Sequence, residues 1–262
     1  MTCLGVSVFQ TRLIYFPTRE YRATPADVGL RYEALTLRTA DGVAIEAWYL
    51  PHPEPDGTVL FCHGNAGNMS DTLDYMIELH HLGFAVLTFD YRGFGRSAGH
   101  PSERGTYLDA EAVWRYLTDS LRLPAERIVL FGQSLGGAVA IELADRLAES
   151  GPAALVVEST FTSLADVGQR HYPLLPVRLL LAHRYESVDK VGRISCPKLF
   201  IHGRDDELIP VADARRLYDE AVEPKTFVET PGGHSSAGFV RARRHSASVV
   251  QFLREATATD VQ

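Results

Sequence analysis

Paired cysteines, basic clusters and long apolar runs are all scarce in this sequence. Its cysteines are Cys3, Cys62 and Cys196, odd in number and irregularly spaced. They suit neither a disulfide framework nor a Cys/His zinc site, and a reducing, cytoplasmic setting fits them best. Lys and Arg number 26 against 33 Asp and Glu, a net charge of −7. No Lys/Arg-rich run offsets that balance, so the electrostatic attraction behind sequence-independent nucleic-acid binding is missing. Nor does any apolar stretch reach the roughly 20 residues that cross a bilayer. Cys3 to Phe9 is apolar, but Gln10 and Arg12 interrupt it before Leu13, Ile14, Tyr15 and Phe16, and no positive segment of secretory type opens it. This lead-in is expected to pack on the domain as an amphipathic segment. Its other reading is a surface anchor that gives peripheral membrane association, or the remnant of a longer membrane segment. The pattern leaves the oligomeric state open.

With 262 residues, 45% of them apolar, the chain can bury one large core, and a single domain spanning residues 1–262 is expected. Glu33 to Thr39 and Val43 to Leu50 alternate in polarity and meet at Ala40-Asp41-Gly42, a strong hairpin signal. Short apolar runs follow at Thr58 to Cys62, Ala85 to Phe89, Arg127 to Phe131, Leu155 to Val157, Leu199 to Ile201 and Thr226 to Val228. Helical stretches lie between most of them, among them Asp71 to Leu82, Glu103 to Leu121 and Leu135 to Ala148. Continuous apolar strands alternating with helices predict an α/β fold: a mostly parallel sheet of about eight strands, covered by helices on both faces, with an antiparallel N-terminal edge. A long connection at about 160–194, rich in Pro and Leu, predicts a small cap over a pocket. Tyr172, Leu174 and Leu180 are its candidate lining residues.

Chemistry concentrates at Gly132-Gln133-Ser134-Leu135-Gly136-Gly137, which follows one apolar strand and opens an Ala/Ile/Leu-rich helix. A serine in such a strand-to-helix turn is pushed out of the sheet at a helix N-terminus, where negative charge is favoured. Its hydroxyl is a weak nucleophile and needs a base, itself held by a third group. Downstream, Lys198 to Ile201 runs into the acidic turn Arg204-Asp205-Asp206-Glu207, and Gly232-Gly233-His234 follows the last strand. Ser134, Asp206 and His234 are therefore the candidate nucleophile, acid and base. Asp206 is preferred over Glu158 and Asp205, and His234 over His245. Backbone amides of Leu135 and Asn65 are the candidate oxyanion donors, with Ala66 as the alternative to Asn65, because His63-Gly64-Asn65-Ala66-Gly67-Asn68 supplies small residues after a strand.

Ten histidines are present, but no His-Glu-x-x-His or similar ligand spacing, so no metal is expected. Gly93-Phe94-Gly95-Arg96-Ser97-Ala98-Gly99 places its third glycine one residue late for a dinucleotide loop, and no lysine follows a glycine-rich loop as a P-loop needs. No cofactor is expected.

Taken together, Leu13-Ile14-Tyr15-Phe16-Pro17, Ala40-Asp41-Gly42, the His63 to Asn68 loop, Asp90-Tyr91-Arg92-Gly93-Phe94-Gly95-Arg96-Ser97, the Ser134 turn, the Asp206 turn and Gly233-His234 resemble the α/β-hydrolase superfamily. Nearest in pattern is its branch of small serine esterases, which includes protein depalmitoylases and many bacterial hydrolases. The resemblance runs through nearly the whole chain and implies cleavage of a small-molecule acyl ester or thioester. A peptidase of the same fold is the alternative, and a non-catalytic binding protein a more distant one.

Overall fold

A computed structural model describes residues 10–147, 151–238, 240 and 243–258. Eight strands form one sheet: β1 Glu33–Arg38, β2 Ala44–Leu50, β3 Thr58–Cys62, β4 Ala85–Phe89, β5 Ile128–Gln133, β6 Ala154–Glu158, β7 Lys198–Gly203 and β8 Lys225–Thr230. Their order across the sheet is β8-β7-β6-β5-β3-β4-β2-β1. β1 and β2 are antiparallel to each other, and β2 is antiparallel to β4. Every other pairing is parallel. The Asp41-Gly42 hairpin forms because Gly42 takes φ +84°, a conformation that costs glycine nothing.

The helices that follow Glu33–Arg38 are α1 Leu73–His81, α2 Glu103–Arg115, α3 Leu135–Arg146, α4 Leu164–His171, α5 Val177–Leu180, α6 Val188–Val191, α7 Val211–Glu220 and α8 Arg243–Thr257, with short single turns besides. Along the central strands successive side chains enter opposite cores. Leu60, Cys62 and Leu130 pack with α2 and α3, whereas Val59, Phe61 and Phe131 pack with α1 and α8. With helices on both faces, β3, β4 and β6 are buried throughout, which is why they are apolar without alternation. The helix predicted to run to Leu121 is instead α2 followed by a wider π turn at Tyr116–Ser120. Thr118 Oγ1 donates there to the Trp114 carbonyl, a bond of the kind that loosens helices.

After β3 the chain moves to β4 on one side, and after β4 it returns to β5 on the other. The loops that leave β3 and β5 therefore diverge and open a crevice at the carboxyl end of the sheet, where open α/β sheets place their ligands. The connection between β6 and β7 carries α4, α5 and α6, of which α4 and α5 border this end while α6 packs against α3 and α7. Residues 10–14 are helical, and Phe16–Pro17 pairs with Ala66–Gly67 as a two-residue parallel ladder. That ladder ties the lead-in to the loop after β3. Among the described residues no helix is long and apolar enough to cross a membrane.

Candidate active site

Ser134 stands between β5 and α3 with φ 52° and ψ −119°, a strained conformation for a residue with a side chain. Two glycines make the turn possible. A Cβ on Gly132 would lie 2.2 Å from the Gly136 carbonyl oxygen, and one on Gly136 would lie 2.0 Å from that of Cys62. Neither approach is open to any other residue. Neighbouring backbone holds the strain in place: Ser134 N donates to the Glu158 carbonyl (2.8 Å), and Thr160 Oγ1 and Gly137 N both donate to the Ser134 carbonyl (2.8 and 2.9 Å).

Ser134 Oγ lies 3.1 Å from His234 Nε2, and His234 Nδ1 lies 2.8 Å from Asp206 Oδ2. The loops after β5, β7 and β8 thus converge on one line of three side chains. Asp206 Oδ1 accepts from the amides of Leu208 (3.0 Å) and Ile209 (2.8 Å). Burial works to raise the Asp206 pKa. Hydrogen bonds from His202, from His234 and from the Ile209 amide outweigh burial and hold the carboxylate well below its usual range.

The rival acids go elsewhere. Asp205 Oδ2 accepts from Gly232 N at 3.3 Å and so braces the glycine turn that delivers His234. Glu158 is 1% exposed, and its Oε1 accepts from the Tyr75 hydroxyl at 2.5 Å, with Gln133 Nε2 at 3.5 Å. The His245 side chain lies outside the described residues.

The loop after β3 is tied at several points. His63 Nδ1 donates to the Gly64 carbonyl (2.7 Å), and Tyr91 donates to the His63 carbonyl (3.0 Å). Asn65 Nδ2 donates to the Ile14 carbonyl (2.6 Å), while the Asn65 carbonyl accepts from Phe16 N (3.0 Å). Asp90 receives the Met69 amide and the Tyr21 hydroxyl, both at 2.7 Å. Beneath the loop, burial raises the Asp90 carboxyl to about 6 and lowers His63 to about 4, so at neutral pH His63 is uncharged while Asp90 stays mostly ionised. Neither the Asn65 nor the Leu135 amide has a backbone acceptor among the described residues. Both residues border the same cavity as Ser134, and Leu135 begins α3, where amides and helix dipole favour an anion.

That cavity measures about 540 Å³, within the range of about 300–1,000 Å³ usual for small-ligand sites. Its walls are Leu13, Ile14 and Phe16 from the lead-in, Phe161, Leu164 and Val167 before and along α4, Tyr172, Leu175, Val177 and Leu180 from the cap, and Leu208 and Ile209 beside the acid. Tyr172 and Leu180 thus lie where the sequence puts them. Leu174 does not: it is 96% exposed and absent from the wall, because the turn between Pro173 and Pro176 points it outward while Leu175 faces in. Among the described residues no Asp, Glu, Lys or Arg lines the cavity.

Sequence reasoning missed His202. Fully buried, it donates from Nε2 to the Ile209 carbonyl (2.8 Å) and stands 3.4 Å from Asp206 Oδ2, so it clamps the turn that carries the acid. A histidine inside an otherwise apolar strand was the available signal. The lead-in's share of the cavity wall left no comparable trace, since it depends on a fold-back across many residues.

Residues 53–185 match the family described as serine aminopeptidase, S33. An uncharacterized protein of Mycobacterium tuberculosis is 40% identical over 258 residues, covering 96% of this chain and 91% of that protein. The alpha/beta hydrolase domain-containing protein WAV2 of Arabidopsis thaliana is 34% identical, covering 86% of this chain and 80% of its own length. Among solved structures, a Pyrococcus furiosus esterase superposes with a TM-score of 0.78 at 22% identity, covering 94% of this chain and 98% of its own. That likeness is one of fold.

Proposed function

The chain belongs to the α/β-hydrolase superfamily and within it to the serine aminopeptidase S33 family, and from that premise we propose that it is a serine hydrolase cleaving carboxylic esters or thioesters of apolar acyl groups. One observation carries the choice over a peptidase: the cavity beside Ser134 is apolar, and no carboxylate lines it among the described residues. An aminopeptidase must hold its substrate's terminal ammonium, and an unpaired cation in an apolar wall is strongly disfavoured. An acyl chain needs nothing but that wall.

In this mechanism Ser134 Oγ attacks the acyl carbonyl while His234 Nε2 takes its proton. Asp206 fixes the imidazole and stabilises the cation that forms. The amides of Asn65 and Leu135 receive the oxyanion, a contribution worth about a hundredfold or more per donor. Collapse of the tetrahedral intermediate breaks the C–O or C–S bond, and His234 returns the proton to the leaving alcohol or thiol. Water, deprotonated by the same histidine, then attacks the acyl-enzyme and frees the acid. A non-catalytic binding role is disfavoured by the hydrogen-bonded line from Ser134 through His234 to Asp206, which binding alone would not need.

Fluorophosphonate labelling mapped by peptide mass spectrometry tests the nucleophile. Parallel rates on p-nitrophenyl esters from acetate to palmitate and on aminoacyl anilides test the substrate class. Ser134 should carry the label, and ester turnover should favour acyl chains longer than acetyl while anilides stay intact. Anilide cleavage outpacing ester cleavage would overturn the reading.

A further inference from the structure

The rim of the cavity is apolar and faces outward. Leu13, Phe16, Tyr172 and Leu180 all line the cavity yet remain between 56% and 60% exposed. Leu174 (96% exposed) and Leu179 (85%) extend that surface beyond the wall. Lead-in and cap form a single rim because Gln10 donates to the Leu180 carbonyl (2.5 Å) and accepts from Ala182 N (2.8 Å). An apolar surface this continuous marks a docking site for protein or lipid.

Charge distinguishes the two. Residues 10–19 and 167–185 contain five arginines and no Asp or Glu, which leaves 21 Lys and Arg against all 33 acids in the rest of the chain. Arg170 and Arg178 are paired with Asp213 and Asp166. Arg19 donates to the Gly95 and Ser97 carbonyls. Arg184 is exposed but acts electrostatically on Glu186, in a recess it shares with Asp166 and Asp189. Arg12 and Arg19 are exposed, and no ion pair joins either to a carboxylate among the described residues. Exposed leucines bordered by unneutralised arginines are the composition of a surface that enters an anionic lipid interface. An otherwise acidic molecule that gathers cations at one apolar rim is poorly matched to a second copy of itself there, since the two rims would repel.

We propose that this rim docks on an anionic lipid bilayer, with Leu174 and Leu179 entering among the acyl chains and Arg12 and Arg19 meeting the headgroups. The purpose of docking rests on the function proposed above: an acyl chain could pass from bilayer to cavity without crossing water. Docking itself needs no turnover, so the full chain bearing Ser134→Ala serves as the probe, which separates failure of docking from failure of the hydrolase reading.

Flotation with vesicles of mixed phosphatidylglycerol and phosphatidylcholine should recover the protein. Leu174→Ser with Leu179→Ser should lower the vesicle partition coefficient by about tenfold or more. Thermal unfolding should be unaltered, because both side chains are exposed. Arg12→Glu should weaken binding to the mixed vesicles more than to phosphatidylcholine alone. Three results would overturn the proposal: undiminished binding by the leucine variant, binding lost only when residues 1–9 are removed, or no vesicle binding together with a dimer that the leucine variant dissolves.

Discussion

Two regions meet at the cavity, and they are built on opposite rules. The carboxyl edge of the sheet around Ser134 is buried, its glycines are in contact with opposing backbone, and its strained residue is held by three backbone-directed bonds. The β6–β7 connection is three short helices, with Pro173 and Pro176 between the first two and leucines left in solvent. Side-chain bonds hold it: Gln169 donates to the Pro173 and Leu175 carbonyls, and Glu103 accepts the amides of Arg184 (2.7 Å) and Tyr185 (2.8 Å). Under the proposed function, bond-making falls to the tightly packed region and substrate selection to the more exposed one, which can be reshaped at smaller cost to stability.

The largest test of that division is Ser134→Ala. Turnover should fall by about a millionfold, as for other serine nucleophiles, with no loss of thermal stability, since the backbone strain is carried by the turn and not by the hydroxyl. A variant with near wild-type rate would place the chemistry elsewhere.

Asp206→Asn comes next, with an expected loss of about ten-thousandfold in kcat. It also has a stability signature. Because the folded carboxylate titrates below its ordinary value of 3.8, its stabilising contribution is complete above that pH and is lost as the pH falls through the depressed folded value. Acid unfolding of Asp206→Asn should therefore be less steep below that pH than that of the parent. A larger kinetic loss for Glu158→Gln than for Asp206→Asn would move the acid to β6.

The smallest effect should come from the cap side. Val167→Trp, which fills the wall along α4, should shift the ratio of long-chain to short-chain ester kcat/KM by about tenfold to a hundredfold while leaving fluorophosphonate labelling of Ser134 intact. Equal loss on every chain length would mean that this wall supports the triad and does not select the acyl group.

The same division explains what could be read from sequence. Thr58 to Cys62 and Ala85 to Phe89 coincide with β3 and β4, because a strand buried on both faces is an uninterrupted apolar run. The spacing of Ser134, Asp206 and His234 was legible because each follows a strand that announces itself. Leu174 misled because composition marks the cap as apolar but not which leucine turns inward, a matter decided by backbone geometry between two prolines. The contribution of Leu13, Ile14 and Phe16 to the wall was hidden for a related reason: it depends on the ladder between Phe16–Pro17 and Ala66–Gly67, a contact between distant segments.

The strand order has a consequence in time. The candidate nucleophile, acid and base leave β5, β7 and β8, which lie on the same half of the sheet, and Ser134 precedes His234 by 100 residues, so during synthesis the serine is made well before its base. Under the proposed mechanism, a partly synthesised chain in which β8 has not yet paired with β7 holds a hydroxyl without its base, and a serine hydroxyl without a base is a weak nucleophile. Reactivity toward a serine-directed label is then a clock for completion of the sheet, struck once and only at its last strand.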